Sequence, residues 1–137
     1  MQYIKHIIVL CSIIMFATSA SAQSTDLNFS LQSSSIQMDG ESTPIGSIMT
    51  KEGNQFVWSQ QIGENESVST YNIVNKLENW DKNNSSGSIE YTLEINEFES
   101  VLTITGDDSS VSVTLSSINA NGQIETLSFN ISNVTYN

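Results

Sequence analysis

The last third of the chain, residues 87–137, alternates apolar and polar side chains with few breaks. Short polar stretches interrupt this alternation at regular intervals. Because successive side chains of a β-strand point to opposite faces, the pattern is typical of an antiparallel meander with one buried face. A chain that contains such a segment has to fold around a sheet, so the sequence predicts an all-β protein.

The polar stretches also predict how the strands of this meander align. A four-residue loop at 96–99 would place Leu93 opposite Leu102. The next loop, at 106–109, would then place Leu102 opposite Val113. Both alignments keep the aliphatic side chains on one face, as a buried face requires.

The last hairpin allows two turns. The Asn-Gly pair at 121–122 is typical of a two-residue turn, but that turn would place Leu115 opposite Ser128 and split the apolar face. A three-residue loop at 120–122 places Leu115 opposite Leu127 instead. Because a slip of one residue reverses every side chain, we expect the three-residue loop.

Upstream of the meander the same pattern predicts further strands. Alternation at 26–38 breaks at the three serines 33–35 and resumes with the opposite parity, which indicates a β-bulge or a strand that switches sheets. A similar change of parity after Ile131 predicts a second bulge. Apolar residues at 67–80 recur every three positions, as on a helix, but β-branched residues crowd the first half, so we interpret 67–75 as a strand.

About eight strands joined by hairpins fit two architectures, a sandwich of two antiparallel sheets and an up-and-down barrel. The longest polar connection, 76–87, would carry the chain from one sheet to the other. We therefore predict a meander that forms a two-sheet sandwich, with the up-and-down barrel as the alternative.

The first 22 residues have the features of a secretory signal peptide. Lys5 precedes an apolar run at 7–17, and an Ala-Ser-Ala exit ends at Ala22. Cleavage there would leave residues 23–137 as a single domain without a second apolar segment, so we expect no membrane insertion after cleavage. The predicted location is outside the cytoplasm: secreted, periplasmic or at the cell surface.

Loss of this leader removes His6 and Cys11, the only histidine and the only cysteine. The cysteine-free mature chain then lacks the residues for Ser–His or Cys–His catalysis and the usual zinc ligands. Its charge becomes -11 - 1 = -12, because Lys5 leaves as well. This acidity argues against nucleic-acid binding, which needs a cationic surface. The remaining cations are Lys51, Lys76 and Lys82.

The face of the meander opposite the aliphatic one is rich in hydroxyl groups. It would suit either a solvated surface, since threonine is a good strand former, or a hydrogen-bonding surface for a ligand. Aromatic rings could add a sugar-binding platform, for which Trp80 and Trp58 are the candidates. The predicted ligand-binding threonines are Thr103, Thr105, Thr114 and Thr126.

A calcium ion is the one cofactor that the sequence suggests. Asp107 and Asp108 could supply oxygen ligands from a turn, although their spacing does not match that of an EF-hand loop. Adjacent acidic residues are also common in turns without any metal. We expect no other cofactor.

These observations predict an exported, non-catalytic binding domain whose partner is a surface glycan or another exported protein. One alternative is a self-assembling surface component that joins through edge strands at 26–31 or 124–136. A second is a barrel that holds a small apolar ligand. An enzyme would need two facing carboxylates, for which the sequence offers Glu90 with Glu94 on one strand face and Glu97 with Glu99 at a turn, and we do not expect one.

Overall fold

The computed structural model describes residues 26–137, so the predicted signal peptide and its cleavage site lie outside the described residues. No helix in this range is long and apolar enough to cross a membrane. The described chain forms nine strands: β1 (Phe29–Met38), β2 (Glu41–Thr43), β3 (Gly46–Glu52), β4 (Gln55–Ile62), β5 (Asn65–Asp81), β6 (Ser86–Ile95), β7 (Phe98–Gly106), β8 (Val111–Ile118) and β9 (Ile124–Tyr136).

All nine strands belong to one antiparallel sheet that closes on itself. Their order is β2-β1-β3-β4-β5-β6-β7-β8-β9, and β1 also pairs with β9. Eight strands therefore form a closed barrel, while the short β2 pairs only with the end of β1. The all-β antiparallel prediction is confirmed. The two-sheet sandwich is wrong, and the stated alternative, the up-and-down barrel, is the architecture that forms.

The pairing of β5 explains why the predicted sandwich is wrong. This strand pairs with β4 through residues 65–72 and with β6 through residues 72–81, with a register shift between Ile73 and Asn75. Most of the predicted connection at 76–87 is therefore strand, and only 82–85 links β5 to β6. The preference for strand over helix at 67–75 is confirmed. A long strand that pairs first with one neighbour and then with another allows a single sheet to curve and close, so that no second sheet is needed.

Two bulges lie where the terminal strands meet. Gln32 pairs with Asn133, Ser33 with Ile131, and Ile36 with Phe129. Strand β1 thus carries one extra residue after Ser33, and β9 carries one extra residue at position 132, which confirms both predicted bulges. Bulges bend a strand and increase its twist, and here they allow β1 and β9 to follow the curvature of the barrel.

The last hairpin has the predicted register. Leu115 lies opposite Leu127, and the Asn119 amide donates to the Gln123 carbonyl across the three-residue loop (2.8 Å). Gly122 adopts a φ of +75°, a left-handed conformation that suits glycine.

The two preceding hairpins were predicted in the wrong register. Tyr91 lies opposite Leu102, and Leu102 lies opposite Leu115. The β6–β7 turn has only two residues, Asn96 and Glu97, both with positive φ. Predicted and observed registers differ by two residues, which keeps every side chain on the same face. The alternation therefore could not distinguish them.

Side chains fill the interior of the barrel. Trp58 packs edge-on against Phe129, with ring centroids 5.4 Å apart, and its indole Nε1 donates to the Ser47 hydroxyl (3.2 Å). A gap bounded partly by Phe29 and Trp80 is too narrow for a water molecule. The most deeply buried apolar side chains are Phe29, Leu31, Met49, Phe56, Ile89, Tyr91, Leu93, Leu102, Ile104, Val113 and Phe129.

Candidate functional site

The barrel brings all four predicted threonines onto one outward surface. Thr103 lies opposite Thr114, because their neighbours Leu102 and Ile104 point into the core. We call this surface the β6–β9 outer face. It consists of Glu90, Thr92, Glu94, Glu99, Val101, Thr103, Thr105, Ser112, Thr114, Ser116, Ile118, Ile124, Thr126 and Ser128.

Hydroxyl groups on this face pair across the strands. Thr105 and Ser112 share a hydrogen bond of 2.8 Å, and Ser116 and Thr126 share one of 2.9 Å. Each such pair uses one of its two hydroxyl protons and leaves the other proton and several lone pairs for water or a ligand. Because neighbouring strands lie about 4.8 Å apart, the surface is a regular array of donors and acceptors.

The charges on this face are all negative. Glu94 lies directly opposite Glu99 across the β6–β7 hairpin, and Glu90 lies opposite Thr103. Like charges directly opposite each other on a sheet are destabilising. The ion pairs among residues 26–137 all belong to Lys51 and Lys76, which lie outside this face. The carboxylates of Glu90, Glu94 and Glu99 thus have no ion-pair partner among the described residues, and the face carries uncompensated negative charge.

The outer face also carries apolar side chains at one end. Ile118 and Ile124 lie opposite each other, and they are 67% and 74% exposed. Val101, on the neighbouring strand, is partly exposed as well. The face thus offers hydroxyl groups, carboxylates and an exposed aliphatic pair within four adjacent strands, a combination that can contact a protein surface.

The two tryptophans do not form an exposed strip. Trp58 is 8% exposed and lies inside the barrel. Trp80 is half-buried against the core, and its indole Nε1 donates to the Tyr136 hydroxyl (2.8 Å). The structure does not bring either ring onto the β6–β9 outer face with the four threonines.

Asp107 and Asp108 lie in the turn between β7 and β8, where Asp107 is used internally. Its Oδ1 accepts hydrogen bonds from the Ser109 hydroxyl (2.7 Å) and from the amides of Ser109 and Ser110 (3.2 and 3.0 Å). These bonds lower the pKa of Asp107, with the Ser109 hydroxyl as the largest cause. Among the described residues no three His, Cys, Asp or Glu side chains are grouped to hold a metal, so calcium stays a prediction.

A buried charge cluster at one end of the barrel was missed by the sequence analysis. Lys51 is fully buried, and its Nζ lies 2.7 Å from Asp26 Oδ1 and 3.9 Å from Glu78 Oε1. Lys76 also binds Asp26 (3.3 Å), and the Tyr91 hydroxyl donates to Glu78 Oε1 (2.5 Å). Within the described chain these residues form a closed set of two cations and two anions.

The cluster changes the acidity of its members. The hydrogen bond from Lys51 lowers the pKa of Asp26, and Lys76 adds to this effect. Burial raises the pKa of Tyr91, and its hydrogen bond to Glu78 raises it further. No buried side-chain nitrogen or oxygen of residues 26–137 lacks a hydrogen-bond partner, so every buried polar group of the cluster is hydrogen-bonded.

One signal in the sequence could have revealed this cluster. Lys51 has the same parity as Met49, so a strand that continues beyond Thr50 places its side chain in the barrel. The sequence Lys-Glu-Gly-Asn that begins at Lys51 hides this signal, because it is typical of a turn and favours a strand that ends at Thr50. The partners of Lys51 are Asp26 and, in β5, Glu78. They cannot be inferred from the local sequence pattern, because both are remote from Lys51 in sequence.

Comparison with known proteins adds no further assignment. No known family model matches the sequence, and no curated protein or solved structure gives a significant match. The function therefore has to be inferred from the surfaces of this chain.

Proposed function

We propose that this protein is an exported, non-catalytic binding domain that docks another exported protein on its β6–β9 outer face. The observation that carries the proposal is the composition of that face, which joins paired hydroxyl groups to the carboxylates of Glu90, Glu94 and Glu99 with no lysine among its residues. A complementary partner presents lysine or arginine side chains and hydrogen-bonding groups.

The Glu94–Glu99 pair supports a cationic partner. Two carboxylates in directly opposed positions repel each other in the free protein, and nearby positive charge relieves this repulsion. Charge complementarity of this kind speeds association and excludes partners of the wrong sign. The exposed Ile118–Ile124 pair supplies apolar area beside the charges.

The positions of the aromatic rings favour a protein over a glycan. Sugar binding on a flat surface relies on exposed rings, and both Trp58 and Trp80 pack against the core. Side chains also fill the interior of the barrel, which leaves no space there for a small apolar ligand. The opposed carboxylates lie on a convex outer face and not in a cleft, which supports a non-catalytic role.

Matched lysine substitutions test this proposal. The double variant Thr105→Lys/Thr126→Lys adds two positive charges to the β6–β9 outer face. The control Thr50→Lys/Thr70→Lys adds the same charges on the other side of the barrel, where both threonines flank Val57. Immobilised wild-type and variant proteins are exposed to the exported fraction of the producing cell, and retained proteins are quantified by mass spectrometry.

We expect one protein to be retained by the wild type and by the control but lost from the outer-face variant. Its retention should fall as salt rises, because the contacts are charged and exposed. Equal retention by all three proteins would contradict the proposed surface. A glycan-array signal that the outer-face variant alone loses would replace the protein partner with a glycan.

A further inference from the structure

Strand β5 keeps an open edge although the barrel is closed. β5 pairs with β4 only through residues 65–72, whereas its pairing with β6 continues to Asp81. Beyond the Ile73 amide, which donates to the Asn54 carbonyl (2.8 Å), residues 75–81 have no strand on the β4 side within the described chain. Such an edge presents backbone groups that have no strand partner, and natural proteins normally cover it. Here the Lys76 amide donates to Asn75 Oδ1 (3.0 Å), a local bond that a pairing strand would replace.

The edges first expected to drive assembly are closed in part. The start of β1, within 26–31, pairs with β3 on one side and β9 on the other, whereas β9 pairs with β8 only as far as Asn130, so residues 131–136 have β1 on one side alone. Residues 131–136 include both exposed and half-buried side chains. The residues of the β5 edge, in contrast, are exposed from Asn75 to Asn79, and Leu77 is 63% exposed. The more exposed of these two open edges therefore lies at β5.

We propose that this edge pairs with the same edge of a second copy, antiparallel and with the twofold axis at Leu77. Leu77 then faces Leu77 of the second copy, and Asn75 faces Asn79. Lys76 of each copy faces Glu78 of the other, so the segment is complementary to itself in charge and sets an apolar pair at its centre. Opposed charges and apolar pairs of this kind are the contacts that stabilise adjacent strands.

The neighbouring registers between the two β5 edges are less favourable electrostatically. An axis at Lys76 would set two ammonium groups against each other, and an axis at Glu78 would set two carboxylates against each other, which is destabilising on a sheet. In the proposed register Lys76 and Glu78 remain reachable, because their side chains are 41% and 21% exposed while they contribute to the buried cluster. The register centred on Leu77 is therefore the favoured one.

The strength of this contact follows from its length. Five to seven paired residues span about 17–23 Å, which is a short interface compared with those of permanent dimers. We expect a weak dimer that forms as concentration rises. The β6–β9 outer face is composed of other strands, so this inference does not depend on the proposed function.

Cysteine cross-linking tests the register. In a Cys11→Ser background, Leu77→Cys, Asn75→Cys and Asn79→Cys each supply the only thiol of the full chain, which is exported and purified. Leu77→Cys should form a disulfide-linked dimer about tenfold faster than either asparagine variant, since pairing raises the effective concentration of the facing thiols. A mixture of Asn75→Cys and Asn79→Cys should form the mixed dimer in preference to either homodimer.

Sedimentation of proteins without introduced cysteines supplies a second measurement. The wild type and the control Ile124→Lys should approach the mass of a dimer as concentration increases, while Leu77→Lys should remain monomeric. The inference is overturned if the wild type stays monomeric at the highest concentration reached and Leu77→Cys cross-links no faster than the asparagine variants. It is also overturned if Leu77→Lys dimerises as the wild type does.

Discussion

At the scale of single residues, Lys51 is the most unusual feature of the molecule. A lysine with no exposed surface is stable as a cation only when its charge and its hydrogen bonds are matched, and Asp26 and Glu78 provide this match. The Tyr91 ring lies 5.9 Å from its Nζ and adds a favourable contact with the positive charge. The cluster ties the segment before β1 to β3 and β5.

Replacement of Lys51 by methionine should destabilise the barrel. The variant keeps the apolar stem but leaves Asp26 and Glu78 without their shared cation. Because Asp26 is 38% exposed and water screens part of the loss, we expect about 2–3 kcal/mol by chemical denaturation. The control Lys82→Met, on the exposed β5–β6 turn, should change stability by less than about 0.5 kcal/mol. Equal effects of the two changes would contradict the structural role of the cluster.

The lowered pKa of Asp26 predicts a dependence on acid. Its contribution to stability is present above the pKa that it has in the unfolded chain, about 4, and is lost as pH falls through the lower pKa of the folded state. Asp26→Asn should therefore be less stable than the wild type at neutral pH, and the difference should shrink as pH falls below about 4. Denaturation across that range measures it, and a difference that widens in acid would refute the assignment.

At the scale of elements, the turns decide how the strands align. Asn96 and Glu97 both adopt positive φ, 49° and 67°, in the two-residue turn between β6 and β7. Turns of this type match the twist of a hairpin and favour glycine at the second position. Glutamate there is strained, because its Cβ approaches the backbone.

Glu97→Gly should therefore stabilise the protein. The glycine relieves strain at a φ of 67°, and we expect a gain of about 0.5–1 kcal/mol in the free energy of unfolding. Glu97→Ala serves as the control, since it removes the charge but keeps the Cβ, and it should gain less than Glu97→Gly. A loss of stability in Glu97→Gly would show that another turn forms.

Gly106, at the end of β7, should not tolerate a side chain. A Cβ there would collide with the Ser85 carbonyl and would lie 2.6 Å from Cη2 of Trp80. Gly106→Ala should therefore cost at least about 2 kcal/mol, because backbone lies in the way. Gly46→Ala is the matched control in another strand, where the nearest atom is Gln61 Cβ at 3.9 Å, and thermal unfolding should show little change. Similar effects at both glycines would contradict the packing of the β5–β6 turn on β7.

Local pattern predicted the elements well and their alignment only in part. Parity revealed the bulges in β1 and β9, since a bulge reverses which residues face the core. It also fixed the last hairpin, where the competing turn would have exposed Leu115. Parity failed at the β6–β7 hairpin, because a shift of two residues leaves parity unchanged. It also failed at β5, because closure of the barrel depends on pairing between strands that are distant in sequence.

At the scale of the whole molecule, closure of the barrel separates the packed interior from the outer face that we propose as the binding surface. The sequence could place Thr103, Thr105, Thr114 and Thr126 on one face, because alternation assigns side chains to faces. It could not reveal that this face is the outside of a barrel, that Trp80 packs against the core, or that Lys51 is buried. Those features depend on contacts between β1, β5 and β9 that are remote in sequence.

The proposed binding surface contains carboxylates whose chemical labelling reports contact directly. Carbodiimide footprinting of the protein, alone and with the exported protein that it captures, measures the accessibility of each side chain. We expect labelling of Glu90, Glu94 and Glu99 to fall in the complex, while labelling of Glu64 and Glu66 near the β4–β5 turn stays constant. Unchanged labelling of the outer-face carboxylates in a complex that has formed, or protection of Glu64 and Glu66 instead, would contradict the proposed surface.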